Sequence, residues 1–183
     1  MVGCSKSPET VESVAPVIEK SQVATTTSSG DGSGSLLLKQ DYKLAIFAGE
    51  TLEGISYGPE VLKEQTLTMM NVWTTTCPYC IEEMPMLEEL SSELISEGVQ
   101  IIGVIGDGKY SASAAQKIID STGVTYLNLV PTGTSEKIIF EIAYAVPTTL
   151  FVDQNGRVIG EPILGVRSKD EYTALAREAL KAL

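Results

Sequence analysis

The chain has no histidine among its 183 residues, and it has only three cysteines and one tryptophan. Without imidazole, the chain cannot build a Ser/His or Cys/His catalytic pair, and it cannot ligate a metal or haem through histidine. We therefore expect any general acid or base in this protein to be a carboxylate.

Positive charge is also scarce, since 13 lysines and arginines face 24 acidic residues and the net charge is −11. Nucleic acids and anionic lipid head groups carry the same sign of charge, so neither is an expected partner. No run of 18 apolar residues occurs, so no segment is predicted to span a membrane. The length is enough for one domain with a sizeable core and a tail.

One segment, from Asn71 to Pro85, combines an apolar stretch with a Cys-x-x-Cys pair. The residues before it predict a buried strand and those after it predict a helix, so Cys77 lies at a strand-to-helix junction. A helix N-terminus stabilises a thiolate and commonly lowers a cysteine pKa from about 8.5 to about 3.5–7.5. The pattern predicts a redox dithiol, with Cys77 as the nucleophile and Cys80 as the resolving thiol.

Two other interpretations of the cysteine pair are less favoured. Half of a zinc site is disfavoured because the remaining cysteine is Cys4 and the chain has no histidine, so one chain cannot supply tetrahedral ligation. A purely structural disulfide would close almost no loop and so add little stability. We expect no metal and no cofactor beyond the Cys77–Cys80 disulfide itself.

The residues around the pair suggest further roles. Glu83 stands three residues beyond Cys80, and this spacing places the two residues on the same side of a helix. In a poorly solvated site its carboxyl pKa would be raised, and it could exchange protons with the resolving cysteine. The alternative places Glu83 with Glu82 on a solvated face. Pro78 suits the first helical turn, and Tyr79 is expected to lie exposed over the dithiol.

Strand and helix patterns alternate through the rest of the chain and predict an α/β fold with a central mixed sheet flanked by helices. The specific signals are an initial strand at Tyr42–Phe47, a helical turn at Glu60–Glu64, a buried strand at Val99–Ile105, a helix at Ser113–Ser121 with Ser113 and Gln116 as a capping box, an Asn155-Gly156 hairpin turn, and a final helix capped by Ser168 and Glu171.

The pattern Asn-x-Trp-x-x-x-Cys-x-x-Cys-x-x-Glu-x-Pro resembles the active-site segment of the thioredoxin-like thiol-disulfide oxidoreductases of the bacterial TlpA/ResA group. The resemblance extends from about Leu44 to the C-terminus. It implies a thioredoxin-like fold, in which Glu83 is an active-site acid and Pro147 is a cis-proline beside the dithiol. A cis-proline leaves the backbone of Val146 free to pair with an extended partner segment.

On the same resemblance, the partner-binding residues are expected to be Trp73, Pro78, Tyr79, Val146 and Pro147. Three departures from the family pattern stand out. Thr76 replaces a tryptophan common in relatives, Pro78-Tyr79 is the dipeptide common in glutaredoxins, and Asn71 occupies the place of the buried aspartate of cytoplasmic thioredoxins. The last departure shifts the buried acid role towards Glu83.

The first 35 residues are rich in Ser, Thr, Gly, Pro and Glu and cannot bury enough apolar surface to fold. We predict a flexible tether at 1–35 and the thioredoxin-like domain at 36–183. The Gly3-Cys4-Ser5 start resembles a mature bacterial lipoprotein whose signal peptide has been removed, so Cys4 is a predicted lipidation site. An incidental cysteine is the alternative.

The family resemblance implies a monomeric, extracytoplasmic reductase held to the cell membrane by its lipid anchor alone. Its expected partners are disulfides of exported proteins or an oxidised redox enzyme, and a membrane thiol carrier of the CcdA type as electron source. Relatives serve cytochrome c maturation or methionine sulfoxide repair. Two alternatives are a peroxiredoxin-like peroxidase, which Thr74-x-x-Cys77 matches in part although Met70 replaces the expected proline, and a non-catalytic binding module with a structural disulfide.

Overall fold

The structure is a computed structural model that describes residues 43–183. Within this range, a seven-stranded mixed sheet has the order β2-β1-β5-β4-β3-β6-β7 and is accompanied by four α-helices. The strands are β1 Gly49–Glu50, β2 Ser56–Tyr57, β3 Leu67–Trp73, β4 Val99–Ile105, β5 Asn128–Pro131, β6 Thr148–Asp153 and β7 Val158–Leu164. The helices are α1 Pro78–Leu94, α2 Gly108–Thr122, α3 Gly133–Ile142 and α4 Lys169–Lys181, and short 3₁₀ turns occupy Pro59–Lys63 and Ile95–Glu97.

The centre of the sheet is β3, which pairs in parallel with β4 and antiparallel with β6. All seven residues of β3 are buried, because the sheet is covered on both faces. Its side chains alternate between two apolar clusters, one shared with α1, α2 and α4 and the other with α3. The predicted α/β architecture with a central mixed sheet is confirmed, and β3 delivers the chain to Cys77 at one end of that sheet.

Helix α1 follows the predicted pattern. Met84, Leu87, Leu90 and Leu94 are all buried, and Gly98 ends the following 3₁₀ turn with a φ of 85°. The acidic face is mostly solvated, as expected. Its exception is Glu88, whose carboxylate accepts the backbone N–H of Thr125 at 2.6 Å and also binds the Thr125 hydroxyl.

Two predictions of secondary structure are wrong. Residues 45–46 form a turn, and Lys43 makes only an isolated bridge to Arg157, so no strand runs to Phe47; Tyr42 lies outside the described residues. Helix α2 starts at Gly108, well before Ser113. Gly108 allows close packing at the helix start, because a Cβ there would collide with the side chain of Val130.

The closing hairpin and helix agree with the sequence. Strands β6 and β7 pair antiparallel around the Asn155-Gly156 turn, where Gly156 has a φ of 78°. The Ser168 side chain accepts the Glu171 backbone N–H while the Glu171 carboxylate binds the Ser168 backbone, which is the predicted capping box at the start of α4. None of the helices in residues 43–183 has the length and apolar composition of a membrane span.

Candidate active site

The two cysteines of the Cys-x-x-Cys motif form a disulfide at the start of α1. Cys77 is the N-cap residue, and its sulfur accepts the backbone N–H of Cys80 at 3.2 Å. Cys77 is 9% exposed and Cys80 is 0% exposed. An incoming partner therefore reaches the Cys77 sulfur first, and the N–H groups at the helix start face the thiolate that Cys77 forms on reduction.

The loop between β3 and Cys77 is anchored from α2. Thr75 donates its backbone N–H to both carboxylate oxygens of Asp107 at 3.1 Å, and its hydroxyl donates to the same carboxylate. Asp107 is the N-cap of α2, although its side chain does not cap its own helix. Its hydrogen bonds instead fix the residue that lies two positions before the nucleophile.

Glu83 is buried in the same first turns of α1, with only 3% of its surface exposed. Its Oε1 accepts the amide of Asn71 on β3 at 2.8 Å, and its Oε2 accepts the hydroxyl of Tyr172 on α4 at 3.2 Å. The Asn71 amide also donates to the Thr149 hydroxyl at 3.4 Å, and that hydroxyl donates to Tyr172 at 3.3 Å. We call this closed set of four side chains the Glu83 ring.

Burial sets the electrostatics of the Glu83 ring. Desolvation raises the pKa of Glu83 above its ordinary value, and the hydrogen bonds from Asn71 and Tyr172 oppose that rise. The pKa of Tyr172 is raised to about 12, first by burial and then by the negative charge of Glu83. Tyr172 therefore stays protonated at physiological pH and remains a donor. The placement favours the interpretation of Glu83 as a buried acid over that of a solvated face.

The second predicted site segment lies at the same end of the sheet. The Val146–Pro147 peptide bond is cis. Pro147 directly precedes Thr148, which pairs with Val72 near the end of β3, so the register brings Pro147 beside the segment that leads to Cys77. Pro147 is buried and Val146 is half-buried, and the Pro147 carbonyl accepts the N–H of Gly165.

The remaining predicted residues divide between surface and core. Pro78 and Tyr79 are exposed, Tyr79 by 69%, so both can contact a partner. Trp73 is fully buried, and its indole N–H donates to Asn128 at 3.0 Å. We therefore correct its expected role: Trp73 is a core residue beneath the site because no part of its side chain reaches the surface. Cys4 lies outside the described residues.

Sequence reasoning missed three polar residues that shape this site: Asp107, Thr149 and Tyr172. Tyr172 lies on the buried face of α4 and is 0% exposed. Its hydroxyl could have indicated a polar neighbour, because a fully buried tyrosine usually requires a hydrogen-bond partner. The identity of that partner depends on how α4 packs on the sheet.

Comparison with known proteins agrees with this architecture. The family model described as Redoxin matches residues 47–175. A thiol-disulfide oxidoreductase called ResA from Halalkalibacterium halodurans is 29% identical over 113 residues, which cover 62% of each chain. A thiol:disulfide interchange protein called DsbE from Haemophilus influenzae is 32% identical over 110 residues, 58% of this chain and 56% of that protein. The chain thus spans less than two thirds of the length of these curated relatives.

Two solved structures show the same fold. A thiol:disulfide interchange protein of the thioredoxin family from Chlorobium tepidum has a TM-score of 0.64 at 22% identity, and covers 77% of this chain and 97% of its own. The DsbF structure from Mycobacterium tuberculosis has a TM-score of 0.59 at 25% identity, and covers 76% of this chain and 96% of its own. The fold and the helix-start dithiol define a thioredoxin-like protein. The chain belongs to the Redoxin family.

Proposed function

We propose that this protein is an extracytoplasmic thiol-disulfide oxidoreductase that reduces disulfides of exported proteins. The observation that carries the proposal is the unequal exposure of a disulfide-bonded pair at a helix start, with Cys77 reachable, Cys80 enclosed and the buried carboxyl of Glu83 one turn further on. The names of the ResA and DsbE relatives agree with this chemistry.

The proposed reaction has two exchange steps. The Cys77 thiolate attacks one sulfur of the partner disulfide, that bond breaks, and the first partner thiolate leaves and takes up a proton. The Cys80 thiol then gives its proton to the Glu83 carboxylate, and its thiolate attacks the Cys77 sulfur of the mixed disulfide; that bond breaks, and the second partner sulfur leaves as a thiolate and takes up a proton from water. Two electrons pass from the dithiol to the partner, and Cys77 and Cys80 end as the disulfide.

Partner recognition is assigned to the surface around Cys77. Tyr79 offers an exposed ring directly after Pro78, and the half-buried Val146 offers its backbone beside the cis-proline. An extended segment of the partner that pairs with the Val146 backbone would bring its disulfide to Cys77. The small, polar Thr76 next to the nucleophile leaves this surface open to bulky partner residues.

The location and the electron source belong to the same proposal. We place the domain outside the cytoplasm, tethered by 1–35 with a lipid on Cys4 and re-reduced by a membrane thiol carrier of the CcdA type. A solved relative at 22% identity is described as a secreted disulfide oxidoreductase, which agrees with this location. We propose that its substrates are proteins of cytochrome c maturation or of methionine sulfoxide repair.

Trapping of mixed disulfides tests the proposed chemistry. Cys80→Ser leaves the attacking thiol but removes the resolving one, so it should accumulate mixed disulfides with oxidised protein substrates through Cys77. The matched Cys77→Ser variant should trap few, because its remaining thiol is enclosed. Equal trapping by both variants would contradict the assignment. An unreactive dithiol in an insulin reduction assay would favour a binding module, and rapid turnover of hydrogen peroxide would favour a peroxidase.

A further inference from the structure

Tyr172 is the member of the Glu83 ring that comes from the most distant part of the chain, 89 residues after Glu83. Its helix, α4, lies along α1 and is linked to it by ion pairs at the surface, where Lys169 binds Glu89 and Glu93 and Arg177 binds Glu97. The ring therefore connects four elements of the fold, β3, α1, β6 and α4, around one buried carboxyl group.

The direction of each hydrogen bond in the ring can be deduced from the chemistry of its members. The Asn71 amide donates one N–H to Glu83 and the other to Thr149. Thr149 donates its only hydroxyl hydrogen to Tyr172, and Tyr172 donates its own to Glu83. All four hydrogens are used, and Glu83 accepts at both oxygens. This pattern suits an ionised carboxylate, which accepts at both oxygens and does not donate.

We propose that Tyr172 is a positioning residue for the dithiol chemistry: its hydroxyl, itself oriented by Thr149, holds the Glu83 carboxylate in place as the proton acceptor for Cys80. This role rests on the proposed function of Glu83. Tyr172 does not touch the reacting sulfurs in this scheme and acts through Glu83. The hydrogen bond opposes the cost of burying the carboxylate and keeps both of its oxygens in a fixed orientation.

The surroundings of Glu83 define what else could act on it. Within residues 43–183, the titratable groups that sense the charge of Glu83 are Tyr172 from α4 and Tyr126 from the segment before β5, and Cys80 stands three residues before it on α1. Tyr126 is 8% exposed, and its hydroxyl makes no hydrogen bond with any residue in 43–183. Two buried tyrosines thus lie near the same carboxyl group, and only Tyr172 donates to it.

This difference supplies a matched pair of variants. Tyr172→Phe removes the hydroxyl donor and keeps the aromatic side chain that packs in the core. Tyr126→Phe removes a hydroxyl that has no hydrogen-bond partner among residues 43–183. The experiment is a ¹³C NMR titration of the Glu83 carboxyl carbon in the disulfide form of the full chain, where the two cysteines do not titrate. Tyr172→Phe should raise the Glu83 midpoint by about one pH unit, the size expected for losing one hydrogen bond to a charged group. Tyr126→Phe should leave the midpoint unchanged.

Activity gives a second readout that a structural role would not move. In the reduction of a protein disulfide, the low-pH limb of the pH–rate profile should shift to higher pH in Tyr172→Phe, by the same amount as the Glu83 midpoint. In a Glu83→Gln background, Tyr172→Phe should cause no further shift. An unchanged Glu83 midpoint in Tyr172→Phe, or an equal shift in Tyr126→Phe, would overturn the proposal even if the protein is an active reductase.

The native protein allows the same test if Tyr172→Phe does not fold. The ¹³Cζ resonance of Tyr172 should change with pH at the midpoint of Glu83, because ionisation of the carboxyl group strengthens the hydrogen bond that the phenol donates. A Tyr172 resonance that stays constant through the Glu83 titration would overturn the proposal. Because neither NMR measurement uses catalysis, loss of the proposed reductase activity and loss of the Tyr172 role can be told apart.

Discussion

Asp107, the N-cap of α2, accepts hydrogen bonds from both the backbone N–H and the hydroxyl of Thr75, two residues before the nucleophile Cys77. This contact joins the loop that carries the nucleophile to the start of α2, the helix that follows the neighbouring strand β4. The attack of a thiolate on a disulfide depends on a defined approach of the sulfurs, so the loop's position should matter for rate as well as for stability.

We predict that Asp107→Ala destabilises the fold by about 1–2 kcal/mol, because the Thr75 N–H loses a charged partner. The rate of disulfide reduction should fall about tenfold, equivalent to about 1.4 kcal/mol in the barrier. Asp107→Asn keeps one acceptor oxygen and should lose less. Urea denaturation and reduction kinetics would measure both effects.

The control for this change is Asp120→Ala on the exposed face of the same helix, where the carboxylate, among residues 43–183, accepts only the side chain of Gln116. It should leave both stability and rate close to those of the native protein. Equal rates for Asp107→Ala and the native protein would show that the Thr75 contact does not position the nucleophile.

The pKa of Cys77 is expected to lie above about 5, which is the property of a reductant more than of a strong oxidant. The helix start favours the thiolate, but negative charge lies close along the chain: exposed Glu82 is five residues on, and the Asp107 carboxylate is held against Thr75, two residues before Cys77. No lysine or arginine occurs between Glu64 and Lys109 in the sequence. We therefore predict a reduction potential more negative than about −200 mV.

Titration of the thiolate absorbance at 240 nm, with Cys80→Ser to isolate one sulfur, would measure this pKa. Equilibration with glutathione would give the potential of the native pair. A Cys77 pKa below about 5, in the acidified part of the known range, would make an oxidant the better description of the protein.

Removal of 1–35 is expected to leave the fold and the activity in solution unchanged. The prediction rests on composition, since this stretch has too little apolar surface to contribute to a core. Thermal unfolding and insulin reduction by a protein that starts at Leu36 would test it. A melting temperature lower by several degrees would show that the segment is part of the folded domain.

The features that could be predicted from the sequence are those determined by near neighbours along the chain. The capping box of Ser168 and Glu171 spans three residues, and the dithiol of Cys77 and Cys80 spans one helical turn, so each is visible as a local pattern. The burial of Glu83 was left open because it depends on helical phase and on what covers the helix.

The features that escaped prediction join residues distant in the sequence. Thr75 and Asp107 are 32 positions apart, and Glu83 and Tyr172 are 89 apart. Their contacts depend on strand order and on the packing of α4 against α1, neither of which leaves a periodic signal in one sequence. The hydrogen bond from Trp73 to Asn128 was missed for the same reason, because Asn128 lies 55 residues away, in β5.

The pH dependence of stability should report Glu83 directly. The pKa of Glu83 is raised in the folded state above its ordinary value of 4.5. Between these two values the folded state binds more protons than the unfolded state, so the free energy of unfolding should fall as the pH rises through that window. The other glutamates with shifted pKa values all have a lowered pKa, so the stability that they contribute is lost below pH 4.5. The change in stability above pH 4.5 is therefore assigned to Glu83.

Glu83→Gln should abolish this fall, because the amide is similar in size and does not titrate. Its free energy of unfolding, measured in urea from pH 4.5 to pH 8, should therefore rise relative to that of the native protein as the pH increases. The matched control is Glu82→Gln at the exposed neighbouring position, which should follow the native curve. If Glu83→Gln and the native protein kept a constant difference across this range, Glu83 would have the same proton affinity folded and unfolded, and the buried-acid interpretation of the site would be wrong.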